Sequence, residues 1–428
     1  MARRRHPHPI EHSILITATL CLLAAGAVMV FSASSARSVL SGQGDGTSFM
    51  VKYVAYGAVG FALMQLIARR GLEIVVKATT PLLAGAFVCL VLVKVPGFGV
   101  SVNGARRWLG AGPLVFQPSE IMKLALVLYA AKLLAERPKI LKHPRNLMPL
   151  GLVAGGAVLL IASQPDLGTA LVICFTMAAM LVAAGTPIRW LGAAAGGGSL
   201  AVLMYAMSAG YRRDRLMTFI DPWAHASNEG FQAVQGQIAI GSGGLFGVGL
   251  GNSQQKNLFL PEAHTDFILA IVGEELGVAG ILGILFLYGL VAYAGLRVAR
   301  NARGTYAKLL AAGVTSLFLS QAMLNVFTVL GLAPLTGVPL PFISYGSTNL
   351  IVLLVGMGVL LNVAGGGHVK LRAVPGPSAT ARRTSADAAA RKGDVSGSRR
   401  NASNDSDRRR RDGGARGAGA GRRRRAAG

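Results

Sequence analysis

A chain of 428 residues that is 52% hydrophobic and only 14% charged falls well short of the roughly 25% charge of soluble domains, which excludes an ordinary water-soluble protein and points to lipid as the solvent. A formal charge of +25 would suggest nucleic acid binding in a soluble protein. Here much of it follows Gly367, in the runs Arg408–Arg411 and Arg422–Arg425, and reads as contact with anionic lipid, with no nucleic acid expected.

A helix needs about 20 residues to cross the hydrocarbon core. Apolar runs of that kind lie at 13–33, 48–68, 73–96, 119–135, 147–163, 166–185, 188–208, 266–296, 307–332 and 345–365. They predict an all-α, polytopic integral membrane protein with about ten transmembrane helices. Arg3–Arg5 ahead of the first run and Ser32–Ala36 behind it have the flanks of a signal peptide. The run is longer than a signal core of about 7–15 residues and is read as a retained span. With residues 1–12 in the cytoplasm, the inner loops hold Arg69, Arg70, Lys132, Arg137, Lys139, Lys142, Arg145, Arg297, Arg300, Arg303 and Lys308, the positive-inside pattern. A long extracytoplasmic loop, 209–265, then joins spans seven and eight. Residues 366–428 form a basic cytoplasmic tail too poor in apolar residues to fold. Cys21, Cys89 and Cys174 sit in apolar runs without metal-ligand spacing, so no disulfide framework or zinc site is implied.

Several charges break the pattern. Arg106 and Arg107 lie in the outer loop 97–118, and Arg212, Arg213, Arg215 and Lys256 in the loop 209–265. They are either solvated loop charge or an outward anion site, since the arginine fork suits phosphate oxygens. Glu120 and Lys123 open the fourth span at three-residue spacing, on one helix face, as a structural ion pair or part of that site. Asp166 opens the sixth span and Asp266 the eighth, as helix caps or as functional carboxylates. Helix starts gathered on one side favour bound anions. Glu274 and Glu275 lie deeper in the eighth span, where ionisable groups pair or serve a site. The glycine-rich stretch 236–252 lacks a phosphate-loop ending and is read as flexible or re-entrant backbone. Pro339-Leu340-Pro341-Phe342 is read as a rigid loop, and His225 as a surface residue.

Six strings then stand out: Asn103-Gly104-Ala105-Arg106-Arg107-Trp108, Phe116-Gln117-Pro118-Ser119-Glu120-Ile121-Met122-Lys123, Gln164-Pro165-Asp166-Leu167-Gly168-Thr169, Asp221-Pro222-Trp223, Leu260-Pro261-Glu262-Ala263-His264-Thr265-Asp266-Phe267-Ile268, and Pro339-Leu340-Pro341-Phe342-Ile343-Ser344-Tyr345-Gly346. In this order, over 13–365, the chain resembles the SEDS family (FtsW, RodA and SpoVE) and is closest to the FtsW/SpoVE branch. Ser347-Thr348-Asn349 departs from the family's usual Gly-Ser-Ser.

The resemblance implies a peptidoglycan glycosyltransferase of septal wall synthesis in the bacterial cytoplasmic membrane. It would polymerise lipid II, the undecaprenyl-pyrophosphate-linked disaccharide peptide. The family's essential extracytoplasmic aspartate falls at Asp266, and its fourth-helix Glu and Lys at Glu120 and Lys123. Partners implied are a class B penicillin-binding transpeptidase and other divisome proteins. The expected chemistry is an inverting transfer with Asp266 as general base. Arg106, Arg107, Lys123, Arg213 and Arg215 are candidate cations for the pyrophosphate, with Glu120 and Asp166 beside them. No tightly bound cofactor is expected, and a divalent cation, Mg²⁺ or Mn²⁺, is left open. A lipid II flippase, with a polar path near the midplane, and a non-enzymatic divisome scaffold are the rival readings.

Overall fold

The computed structural model describes residues 10–40, 47–102, 105–111, 114–207, 218–228, 230–257, 260–369 and 371. Arg213, Arg215 and nearly all of the basic tail lie outside them. The helices are α1 Ile10–Leu40, α2 Thr47–Arg69, α3 Leu72–Leu92, α4 Pro118–Glu136, α5 Met148–Ala162, α6 Leu167–Ala183, α7 Ile188–Met207, α8 Phe231–Gly243, α9 Ile268–Asn301, α10 Thr305–Val329 and α11 Ser347–Ala364. All but α8 coincide with the apolar runs. Among the described residues, seven helical segments are long and apolar enough to cross a membrane on their own. Helices α4, α6 and α7 fill the remaining expected spans. α6 has only 17 residues, and α4 carries Glu120, Lys123, Lys132 and Glu136.

Helices α10 and α11 are buried along most of their length. The outer helices α2 and α3 turn Val51, Val54, Val59, Leu66, Ile74, Val88 and Val91 outward, an apolar exterior suited to lipid tails. α11 lies against α2, where small residues bring the backbones together: a Cβ on Gly60 would strike Leu354, and one on Gly358 would strike the Met64 carbonyl. The amide of Asn362 on α11 donates to the Ile67, Ala68 and Arg70 carbonyls. Those carbonyls lie at the end of α2, where helical partners run out.

Two regions differ from the expectation. The loop 97–118 contains a three-stranded antiparallel sheet of β1 Gly99–Val102, β2 Ala105–Ala111 and β3 Leu114–Phe116, in that order. The helical fold therefore carries a small β cap. The glycine-rich stretch is not loose backbone throughout: its first part belongs to α8. Gly236 packs against Phe267 and Gly243 against the Gly273 carbonyl, contacts a Cβ would block. The small residues seat α8 on α9.

Helix α9 is broken at Gly277, whose φ of 68° and ψ of −165° are non-helical. Such a φ is available to glycine at little cost. The break frees backbone groups that must be paired in an apolar setting. The segment after α8 pairs them: Val248 N and Gly249 N donate to the Glu274 and Glu275 carbonyls at 3.0 and 3.1 Å. Val278 N and Ala279 N donate to the Gly244 and Leu245 carbonyls at 3.0 and 3.1 Å.

Candidate active site

The strand of chain between α10 and α11 organises the site. It holds Pro334, Pro339 and Pro341 and so cannot supply all its own hydrogen bonds. One face of α10 supplies them. Gln321 Nε2 donates to the Pro339 carbonyl at 2.9 Å, Asn325 Nδ2 to the Val338 carbonyl at 2.7 Å, and Thr328 Oγ1 to the Pro334 carbonyl at 3.3 Å. Spacings of four and three residues place these side chains in one row.

Lys123 reaches this row from α4. Its Nζ lies 2.9 Å from Glu120 Oε2 and donates to Gln321 Oε1 at 2.7 Å. The Gln321 amide cannot turn over without losing contacts. Its nitrogen serves both the Pro339 carbonyl and Asn349 Oδ1, the latter at 2.9 Å, so its oxygen faces Lys123. Lys123, Glu120 and Gln321 are 2%, 2% and 0% exposed. Three-residue spacing fixed the ion pair in advance, and the tertiary fold adds the glutamine that aims the ammonium.

Asp166 is the N-cap of α6. Its Oδ1 accepts from Thr169 N at 3.2 Å, and its Oδ2 from Gln117 Nε2 at 3.2 Å and Ser119 Oγ at 3.3 Å. Gly168, the second residue of α6, lies against the Thr336 carbonyl and Val338, so this helix start abuts the same strand. Arg107, on β2, donates through Nε to the Gln164 carbonyl at 3.0 Å and through Nη2 to the Pro165 carbonyl. It braces the turn that precedes α6. Arg106, next to it on the strand, is exposed.

Asp266 behaves differently. The N-cap position of α9 is occupied by Phe267, which makes no side-chain cap. The capping reading of Asp266 is therefore replaced by a carboxylate set just ahead of the helix. Its backbone carbonyl accepts from Asn325 Nδ2 at 2.7 Å. Thr265 Oγ1 is the one side chain that donates to its carboxylate among the described residues, at 3.1 Å. A Cβ on Gly337 would lie 3.8 Å from Asp266 Oδ2, so the carboxylate faces the central strand. Burial, the main cause, pushes its pKa from the ordinary 3.8 up to about 6, with the nearby Glu262 charge adding to the rise. The Thr265 hydroxyl opposes it.

Gln321 and Asn325 sit about 6 Å apart along α10, one helical turn. One grips Lys123 and the other the main chain of Asp266. The fold thus gathers Asp266, Lys123, Glu120 and Asp166 around one proline-rich strand. It leaves Arg106 at the surface and commits Lys256, another outer-loop cation, to Glu275 at 3.0 Å. Gln321, Asn325, Thr348 and Asn349 escaped the sequence reading, which followed ionisable groups. The available signal was a row of amides inside an apolar span. The Ser347-Thr348-Asn349 departure bears on the site: Thr348 Oγ1 accepts from Gln117 N at 3.1 Å, and Asn349 holds Gln321. Among the described residues no three His, Cys, Asp or Glu side chains are grouped to hold a metal.

This is a helical membrane protein with a carboxylate and a buried, aimed ammonium at one end of its bundle. The sequence profile of the FtsW/RodA/SpoVE family, described as "Cell cycle protein", matches residues 12–367, and the chain belongs to that family. It is 39% identical over 355 residues to Stage V sporulation protein E of Bacillus subtilis (strain 168), covering 82% of this chain and 96% of that protein. It is 38% identical over 355 residues to the probable peptidoglycan glycosyltransferase FtsW of Geobacter sp. (strain M18), with the same coverage. A chain from a peptidoglycan synthase complex solved for its coordination of polymerization and crosslinking superposes with a TM-score of 0.69 at 28% identity. That match covers 83% of this chain and 98% of the other. The rod shape determining protein RodA of Thermus thermophilus superposes with a TM-score of 0.62 at 28% identity, covering 83% and 97%.

Proposed function

We propose that this protein is a peptidoglycan glycosyltransferase that polymerises lipid II at the outer face of the bacterial cytoplasmic membrane, in septal wall synthesis. The observation that carries the reading is Asp266: a half-buried carboxylate, not used as a cap, with a pKa of about 6. A general base is most useful when its pKa lies near the working pH. At pH 7 such a group is mostly ionised and able to take a proton.

In the reaction, the 4-hydroxyl of an acceptor GlcNAc attacks the anomeric carbon of the donor MurNAc. The C–O bond to the lipid pyrophosphate breaks with inversion. The hydroxyl proton passes to Asp266, and undecaprenyl pyrophosphate departs with the bonding electron pair. Lys123, held by Glu120 and Gln321, is the buried cation available to the developing charge. Arg106, at the exposed end of the sheet, and Arg213 and Arg215 are the arginines assigned to the diphosphate. A divalent cation, Mg²⁺ or Mn²⁺, would supply charge stabilisation at the diphosphate, whose oxygens suit hard cations; among the described residues no three His, Cys, Asp or Glu side chains are grouped to hold one. The positive-inside pattern supports cytoplasmic termini and an outward Asp266. The similarity to a chain from a peptidoglycan synthase complex that coordinates polymerization and crosslinking supports a crosslinking partner, which this reading takes to be a class B penicillin-binding transpeptidase within a larger division assembly.

The test is glycan synthesis from lipid II by the purified protein, with and without the transpeptidase. Wild type should form long strands, and Asp266→Ala should form none while keeping its melting temperature. Strand synthesis at the wild-type rate by Asp266→Ala would remove the base assignment. Lipid II translocation without any polymer would replace the whole reading with a flippase.

A further inference from the structure

We propose that Ser32, Lys256 and Glu275 form a buried positioning clamp that pins the segment after α8 and the first part of α9 to α1, and so fixes where Asp266 sits. The three residues come from distant parts of the chain. Glu275 accepts from Ser32 Oγ at 2.7 and 2.8 Å and from Lys256 Nζ at 3.0 Å. Lys256 Nζ also donates to Ser32 Oγ at 3.2 Å and to the Gly251 carbonyl at 2.6 Å. A lysine ammonium has three donors, and here all three are used. Glu275 is fully buried and Lys256 is 7% exposed.

The neighbouring carboxylate grips the same segment from another side. Glu274 accepts from Ser253 Oγ, from Gln254 N at 2.9 Å and from Gln255 N at 3.4 Å. Two adjacent glutamates therefore hold residues 251–256 between them. Charges at membrane depth are expensive and persist where they serve a site or a partner. A buried ion pair is weak evidence for stability, because apolar replacements often do as well. What it supplies here is a single geometry.

That geometry matters because α9 is broken. The helical run from Ile268 to Leu276 is cut from the rest of α9 at Gly277, so it is not held in place by the long helix behind it. It is a strut roughly 13 Å long by helical rise. Asn325 holds the Asp266 end through the Asp266 carbonyl, and the clamp, together with the backbone bonds from Val248 and Gly249 to the Glu274 and Glu275 carbonyls, holds the other end. Releasing the clamp lets the strut tilt and carries Asp266 with it. A misplacement of about 1 Å in a reacting group can lower turnover about 100-fold.

The kinetic half of this inference rests on the glycosyltransferase reading, and the structural half does not. Full-length protein in nanodiscs would be compared as wild type, Ser32→Ala, Lys256→Met, Glu275→Gln and the Lys256→Met/Glu275→Gln double variant. Hydrogen exchange of the 248–256 amides should rise at least about tenfold in Lys256→Met and Glu275→Gln. On lipid II, kcat should fall about 10- to 100-fold with KM within about twofold. The double variant, with no unpaired buried charge, should regain the wild-type melting temperature without regaining kcat, and Ser32→Ala should fall between. Asp266→Ala should leave exchange at 248–256 unchanged while losing activity. Unchanged exchange in Lys256→Met, or a double variant with wild-type kcat, would overturn the clamp. A wild type that makes no polymer would overturn the glycosyltransferase reading instead, with the exchange result still deciding the clamp.

Discussion

Asp166 and Asp266 look alike in the sequence, each just after a proline-containing turn and just before an apolar helix. In the fold they do different things. Asp166 spends both oxygens on Thr169, Gln117 and Ser119 and caps α6. Asp266 leaves the cap position to Phe267 and, among the described residues, receives a single side-chain hydrogen bond, from Thr265. The first carboxylate is occupied as an acceptor on both oxygens, whereas burial with few donors pushes the pKa of the second up to about 6. The difference comes from how the chain before each helix is held: Arg107 braces the turn ahead of Asp166, whereas Asn325 grips Asp266 by its carbonyl.

The sharpest way to break this comparison is to neutralise each aspartate in turn. Asp266→Asn should lower polymerisation about 10²–10⁴-fold, the span of general-base catalysis, with little change in melting temperature. Asp166→Asn should leave measurable turnover. Equal losses would erase the distinction. Next in size is Lys123→Met, which strands Glu120 as a buried unpaired charge. It should destabilise the fold by about 3–5 kcal/mol, seen as loss of monodisperse protein on heating. Glu120→Gln/Lys123→Met should recover most of that stability while turnover stays low, because the aimed ammonium is still missing.

The pH dependence sharpens the same contrast. With a pKa near 6, Asp266 is active as the anion, so kcat/KM should rise with pH, bend near 6 and fall about tenfold per unit below it. Stability runs the opposite way. The raised pKa means the folded state holds this proton more tightly than the unfolded chain. Its contribution is full below about 3.8 and is lost as pH rises through about 6. A bend near the ordinary carboxylate value would place the base elsewhere. The smallest effect belongs to the cap: Asp166→Ala should cost about 1 kcal/mol of stability, read as a modest fall in melting temperature.

The helices were legible because runs of about 20 apolar residues leave lipid-soluble chain little alternative to helix. The Glu120–Lys123 pair was legible because it is set by helical spacing. The sheet at 99–116 was not: its strands are short, two of them carry glycine, and their pairing joins residues whose register local pattern does not reveal. Helix α8 was masked by glycines that suggest loose chain but serve close packing on α9. Gln321, Asn325 and Asn349 looked like polar interruptions in apolar spans, and only contact between α4, α10 and α11 gives them a role.

By itself, then, the sequence determined the solvent, the number and order of the long helices, and which ionisable residues stand at their ends. These follow from composition and local periodicity, which act over a few turns. Only the tertiary structure decided which aspartate is a cap and which is left to titrate, what aims Lys123, and why Lys256 and Glu275 are worth burying. Those outcomes depend on hydrogen-bond donors arriving from distant segments, and a buried polar group takes its character from whatever the fold brings within about 3 Å of it.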